Sequence, residues 1–161
     1  MDKQEIIKTQ ATELLKKMID SYEMEVVEQE GIYNINVKTE DEAPAVIGRH
    51  GETIRAMQKI LEVILYKQTG ENCDILVNVN DYREKQKERL NHITAEAAAK
   101  VQATQAPSYL RGFSSYERRI MHEYITGNYS ELTTYSVGEG RDRRLVIDRK
   151  SAQAKPEEAE E

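Results

Sequence analysis

The segment that most restricts the fold is Val46-Ile47-Gly48-Arg49-His50-Gly51-Glu52-Thr53-Ile54. Pro44 opens a short helical turn that runs through Ile47, two glycines interrupt it, and a second helix starts directly behind them. From Glu52 onward Ile54, Met57, Ile60, Leu61, Ile64 and Leu65 recur at helical spacing, which predicts a helix to about Lys67, closed by Thr69-Gly70. A tight turn between two helices needs backbone freedom that glycine supplies. The N–H groups at the start of the second helix lack intrahelical partners and can face an anion. Arg49 adds a charged donor. The spacing, and the absence of a following Lys-Ser/Thr, exclude a nucleotide-binding P-loop.

The flanking pattern gives this loop a setting. Ile6, Ile7, Ala11, Leu14, Leu15, Met18 and Ile19 predict an amphipathic helix over 3–21. Strand-like runs follow at 24–28 and 32–38, turning at Glu30-Gly31, with Tyr33, Ile35 and Val37 alternating on one face. Cys73, Ile75, Val77 and Val79 alternate as a third strand, with Cys73 in the phase of a small buried hydrophobe. Asp81-Tyr82-Arg83-Glu84 has capping-box spacing and predicts a helix to about Thr104, with Tyr82, Gln86, Leu90, Ile93, Ala97 and Val101 as its stripe. A smaller unit then opens with a strand at 108–112. Ser114-Ser115-Tyr116-Glu117 has capping-box spacing again, and Gly127-Asn128 stops the helix it starts. Hairpin strands at 131–137 and 143–149 surround Gly138-Glu139-Gly140. The expected fold is α+β, with a first domain over 1–80, a connecting helix over 81–106, a second small domain over 107–150 and a disordered acidic tail over 151–161.

Charge is uneven along this plan. The chain of 161 residues has a formal net charge of −6. Residues 1–80 hold 9 basic and 15 acidic side chains, residues 81–150 hold 13 and 10, and the tail holds 1 and 4. Any anionic partner must therefore be met by local sites, not by a general field. No window reaches the ~18 continuous apolar residues of a membrane span, and no secretory apolar stretch follows Met1. A single cysteine excludes an internal disulfide, and a cytoplasmic location is the expectation. The three histidines at 50, 92 and 122 lie on separate elements without converging carboxylates, which argues against a hydrolytic metal site, a cofactor or an enzyme.

Two further groups of residues can meet an anion. Arg118 and His122 stand four apart in Tyr116-Glu117-Arg118-Arg119-Ile120-Met121-His122-Glu123. On a helical wheel they fall about 200° and 240° from Tyr116, beside an apolar arc of Tyr116, Ile120, Met121, Tyr124 and Ile125. Arginine can fork onto a phosphate, and histidine can stack on or hydrogen-bond a nucleotide. Arg119 adjoins them. Arg141, Arg143 and Arg144 sit near the last hairpin turn, diluted by Glu139 and Asp142. Tyr129 and Tyr135 are candidates for stacking or for core packing. On the residues alone an inert helix junction, a surface Arg/His pair and a solvated arginine turn stay open as alternatives.

A loop of this kind, in the order helix, strand, strand, helix, Gly-x-x-Gly, helix, strand, resembles the type II KH module, in which it clamps a four-nucleotide backbone stretch. The bases are then expected beside apolar residues such as Ile47 and Ile54. Together with Val77-Asn78-Val79-Asn80-Asp81-Tyr82-Arg83, the Arg118/His122 segment and the end segment Thr134–Gly140 through Arg143–Ile147, the chain is similar to the bacterial Jag family, also called SpoIIIJ-associated. That family joins a type II KH domain to a small R-3-H domain named for its Arg-x-x-x-His pair.

The resemblance implies a cytoplasmic, non-catalytic binder of single-stranded RNA. Its phosphate clamp falls on Gly48, Arg49, His50 and Gly51, and the signature pair on Arg118 and His122. It implies regulatory work tied to cell elongation, division, envelope or sporulation, and a small KH-only protein as a partner. His50 stands where the family commonly has a second basic residue, and the family's usual N-terminal domain is expected to be missing. Single-stranded DNA binding and a protein-interaction scaffold are the alternatives.

Overall fold

The computed structural model describes residues 2–153. In chain order it contains helix α1 (Lys3–Leu15), strands β1 (Glu23–Gln29) and β2 (Ile32–Lys38), helices α2 (Ala43–Ile47) and α3 (Glu52–Thr69), strand β3 (Asp74–Val79) and helix α4 (Tyr82–Thr104). Strand β4 (Ser108–Leu110), helix α5 (Ser115–Asn128), strands β5 (Leu132–Val137) and β6 (Arg144–Arg149) and the short helix α6 (Lys150–Gln153) complete it. The chain forms two compact units, residues 1–84 and 85–161, so the division falls inside α4.

In the first unit the sheet order is β1-β2-β3, with β1 antiparallel and β3 parallel to β2. Glu30 and Gly31 both have positive φ, as a two-residue hairpin turn between right-twisted strands requires. Parallel pairing of β2 and β3 needs a crossover, and α2, the glycine loop and α3 form it. One sheet face carries Val26, Tyr33, Ile35, Val37, Ile75, Val77 and Val79, buried against Ile7, Ala11 and Leu15 of α1 and Met57, Leu61 and Leu65 of α3. Cys73 packs at the margin of this core. Side chains cover both sheet edges in part: the Gln4 amide donates to Val26 O (2.7 Å), the Gln58 carbonyl accepts from Val77 N (3.1 Å), and Arg83 Nε donates to Val77 O (2.9 Å). Such cover blunts an edge against pairing with another strand.

Two element ends differ from expectation. Helix α1 stops at Leu15, not near residue 21. Leu15 O accepts from both Met18 N and Ile19 N, and this tightening turns the chain so that Ile19 enters the core at 3% exposure. The Asp81–Glu84 box does not start α4: Asp81 has φ 57, whereas a helix N-cap takes an extended backbone. The Asn78 side chain serves the helix start instead, accepting Arg83 N at 3.2 Å and donating to the Glu84 carboxylate at 3.1 Å. These donors, with Glu84's own N–H, hold its carboxyl below its ordinary pKa.

The second unit has an antiparallel sheet in the order β4-β6-β5. Leu110, Leu132, Leu145 and Ile147 turn to one side of it and meet Leu90, Ala97, Ala98 and Val101 of α4 and Met121 and Ile125 of α5. Residues 81–106, read from the sequence as a connector, thus also build this core. The capping box on α5 forms as the spacing predicts: Ser114 Oγ accepts Glu117 N and the Glu117 carboxylate accepts Ser114 N. The expected tail over 151–161 begins within α6, and residues 154–161 lie outside the described residues.

Candidate nucleic-acid interface

Between α2 and α3 the backbone takes three positive φ values in four residues: Gly48 (φ 70), His50 (φ 53) and Gly51 (φ 72). Arg49–Gly51 form a single 3-10 turn, closed by Gly51 N donating to Gly48 O at 3.3 Å. A Cβ at Gly48 would lie 2.1 Å from Thr53 Oγ1 and 2.8 Å from Thr53 N, so no side chain fits there. At Gly51 it would lie 3.2 Å from the Tyr82 ring. Arg55 braces the turn by donating from Nη1 to His50 O at 2.8 Å. This scaffold presents Arg49 exposed and His50 half-buried, beside the first turn of α3, whose N–H groups face outward along the helix axis.

The apolar neighbours separate. Ile47 is half-buried and packs at the edge of the core. Ile54 is a correction: at 2% exposure it lies within the core, one turn behind the loop, and offers no surface to a base. Periodicity gives the same signal for a groove wall and a core position.

In the second unit α5 buries Glu117, Met121 and Ile125. Tyr116, expected in the apolar arc, is instead 41% exposed. Arg118 and His122 flank the buried stripe. Arg118 Nη1 donates to Phe113 O at 2.8 Å, which fixes the guanidinium beside the α5 entry. His122 Nδ1 hydrogen-bonds Thr134 Oγ1 on β5, so the exposed ring is held against the sheet edge. Arg119 turns away and pairs with Glu123 at 3.2 Å. Arg143 is exposed and ties back to Gly138 O at 3.2 Å. Arg144 lies on the sheet face opposite α5, because alternation along β6 buries Leu145 and Ile147 toward the helices. Arg144 therefore lies on the other side of the sheet from the Arg118/His122 helix. Tyr129 packs into the core and meets Tyr124 at 6.2 Å between ring centroids, while Tyr135 lies on the outer face.

Sequence reasoning missed Thr53, Arg55 and Tyr82 as supports of the glycine loop, and Phe113 and Thr134 as partners of the Arg/His pair. Arg55, one turn into α3, carries a local signal; Thr134 carries none. Among the described residues no group of three or more His, Cys, Asp or Glu side chains could hold a metal ion. No helix among them is long and apolar enough to cross a membrane.

The KhpA/KhpB KH-domain model matches residues 4–79, and the R-3-H domain model matches residues 88–149. Together they give the chain the KH plus R-3-H architecture that matches the bacterial KhpB/Jag family. Among its KhpB relatives, the RNA-binding protein KhpB of Bacillus subtilis is 33% identical over 113 residues, covering 70% of this chain and 54% of that protein. RNA-binding protein KhpB of Clostridium symbiosum is 29% identical over 151 residues, covering 90% and 67%. That of Streptococcus pneumoniae serotype 2 is 28% identical over 148 residues, covering 89% and 44%. The chain thus spans about half the length of the KhpB relatives it matches. The KH match takes in the loop at 48–51, and the R-3-H match takes in Arg118, His122 and most of α4.

Proposed function

We propose that this chain is a regulatory, non-catalytic binder of single-stranded RNA in which residues 48–51 clamp the sugar-phosphate backbone and Arg118 with His122 supplies a second contact. The observation that carries the reading is the loop geometry. Gly48 admits no Cβ, Arg49 is exposed, and the start of α3 stands directly behind both. Unpaired N–H groups and a flanking guanidinium suit a phosphate and read no base, so affinity should dominate over sequence preference. That the KhpB relatives are named RNA-binding proteins supports RNA as the strand. A small KH-only partner belongs to the same reading: Ile60, Val63 and Tyr66 form an exposed apolar stripe on α3, at 47%, 55% and 52% exposure.

Aspartates at the two glycines would be the obvious probe, but the Thr53 contact makes Gly48→Asp a folding variant. The cleaner variant is Arg49→Asp with His50→Asp, since aspartate tolerates the left-handed backbone at position 50. We expect a loss of affinity of about tenfold or more for a labelled single strand, by fluorescence anisotropy, with the urea midpoint unchanged. Unchanged affinity would remove the clamp from the model. A DNA strand of the same sequence, run in parallel, distinguishes RNA from DNA.

A further inference from the structure

The second sheet has an outer face that the Arg118/His122 pair does not use. Strand alternation turns Tyr109, Arg144, Val146, Asp148 and Tyr135 away from α4 and α5. Tyr109 on β4 and Tyr135 on β5 are both in register with Val146 on β6. The two tyrosines therefore flank it, about two strand spacings or ~9.6 Å apart. Val146 itself is at 0% exposure, although it lies on the side away from the helices. Tyr109 is 52% exposed, and the Arg144 guanidinium carbon lies 5.3 Å from its ring centroid. The Arg144 Nε is buried without a hydrogen-bond partner.

The charge of this face is positive outward. Asp148 is 8% exposed, and its Oδ1 accepts Arg149 N at 2.7 Å. Burial, and next the nearby Asp148 charge, raise the Tyr135 hydroxyl above its ordinary pKa. Among the described residues, Arg144 and the exposed Arg111, one residue beyond β4, form no ion pair with a carboxylate. An exposed ring stacked beside a planar guanidinium, on a sheet face with a second aromatic across from it, matches what an unpaired base needs. Every base has a π-face that stacks on tyrosine or arginine, and its phosphates favour nearby positive charge. The two rings, Val137 and a buried valine are interrupted by Arg144 and Asp148, which makes the face less apolar than a protein-docking patch.

We propose that Tyr109, with Arg144 and Tyr135, forms a stacking platform for one or two bases of a single strand, distinct from the α5 edge. This rests on the RNA-binding proposal and adds base contact to phosphate contact. The test uses the full chain and a single-stranded RNA of about twelve nucleotides, within the range that small single-strand-binding folds occupy. One copy is labelled for anisotropy and one carries 2-aminopurine, whose fluorescence is quenched on stacking. Tyr109→Ala should weaken binding about tenfold and abolish the quench on binding, whereas Tyr109→Phe should stay within about twofold of wild type and keep it. Arg144→Lys, which keeps charge and loses the plane, should also weaken binding. If Tyr109→Ala binds like wild type with the quench intact, the platform is overturned. If the wild-type chain binds no strand at all, the RNA-binding proposal fails first. Binding that is lost in the Arg49→Asp/His50→Asp variant and indifferent to Tyr109→Ala overturns the platform alone.

Discussion

Glu117 is an acid with 0% exposure, two residues from the helix start and next in sequence to Arg118. A buried carboxylate persists only where donors meet it. Here Ser114 N reaches Oε2 at 2.8 Å, and the Gln86 amide reaches Oε1 from α4. The residue therefore caps α5 and also joins it to the helix behind, which sets where Arg118 emerges. Glu117→Gln would keep the cap but turn a donor toward the Gln86 amide. We expect it to destabilise the second unit by about 1–3 kcal/mol, read from the urea midpoint. An unchanged midpoint would show that the Gln86 contact contributes nothing. Half of this arrangement was legible in the sequence, because Ser114 and Glu117 stand at capping-box spacing. The Gln86 half was not, since 31 residues separate the partners and no local rule links them. Gly48 divides similarly: the spacing marks a glycine turn, but only the fold brings Thr53 to the space a Cβ would fill. Ile54 was misplaced because an apolar residue at helical spacing does not say which of two surfaces it meets.

At the scale of elements, sequence periodicity located every long helix and strand, and the errors lie at their ends. Leu14, Leu15, Met18 and Ile19 keep helical spacing past the point where α1 stops, because the tightened turn still buries Ile19 on the same side. The start of α4 went wrong for the opposite reason. Two consecutive left-handed residues, Asn80 and Asp81, precede it, and asparagine side chains replace the backbone partners they displace. The Asn78–Glu84 contact gives this helix start a pH dependence with a defined sign. A carboxyl held below its ordinary value of 4.5 contributes stability that is complete above that value. The contribution fades as pH falls through the lower folded value. Glu84→Gln should therefore flatten the acid side of the stability curve below about pH 4.5 and leave the neutral plateau's shape unchanged. Urea midpoints taken from neutral pH down into that range provide the check, and a parallel acid slope in the variant would refute the assignment.

For the whole molecule, the net charge of −6 has to be reconciled with the two proposed sites for an anionic strand. The acidic excess lies in the first 80 residues, where a built loop supplies donors that a general field does not. The second unit is locally basic, and of its cations Arg118 is held beside α5 while Arg119 pairs with Glu123. Affinity should then come from linking two modest contacts on one strand, through the effective concentration that the shared chain provides. If the loop at 48–51 clamps the strand as proposed, a tetranucleotide fills only that loop and should be indifferent to changes on α5. Arg118→Ala with His122→Ala should weaken a strand of about twelve nucleotides by about tenfold and leave the tetranucleotide unchanged. The same variant should lower the slope of log affinity against log salt by about 0.7 for the longer strand, one phosphate contact's share. Equal losses for both lengths would mean that the pair acts through the fold and not through the strand. A loss confined to the longer strand with an unaltered salt slope would assign the α5 edge to base contact instead, with phosphate contact left to the glycine loop.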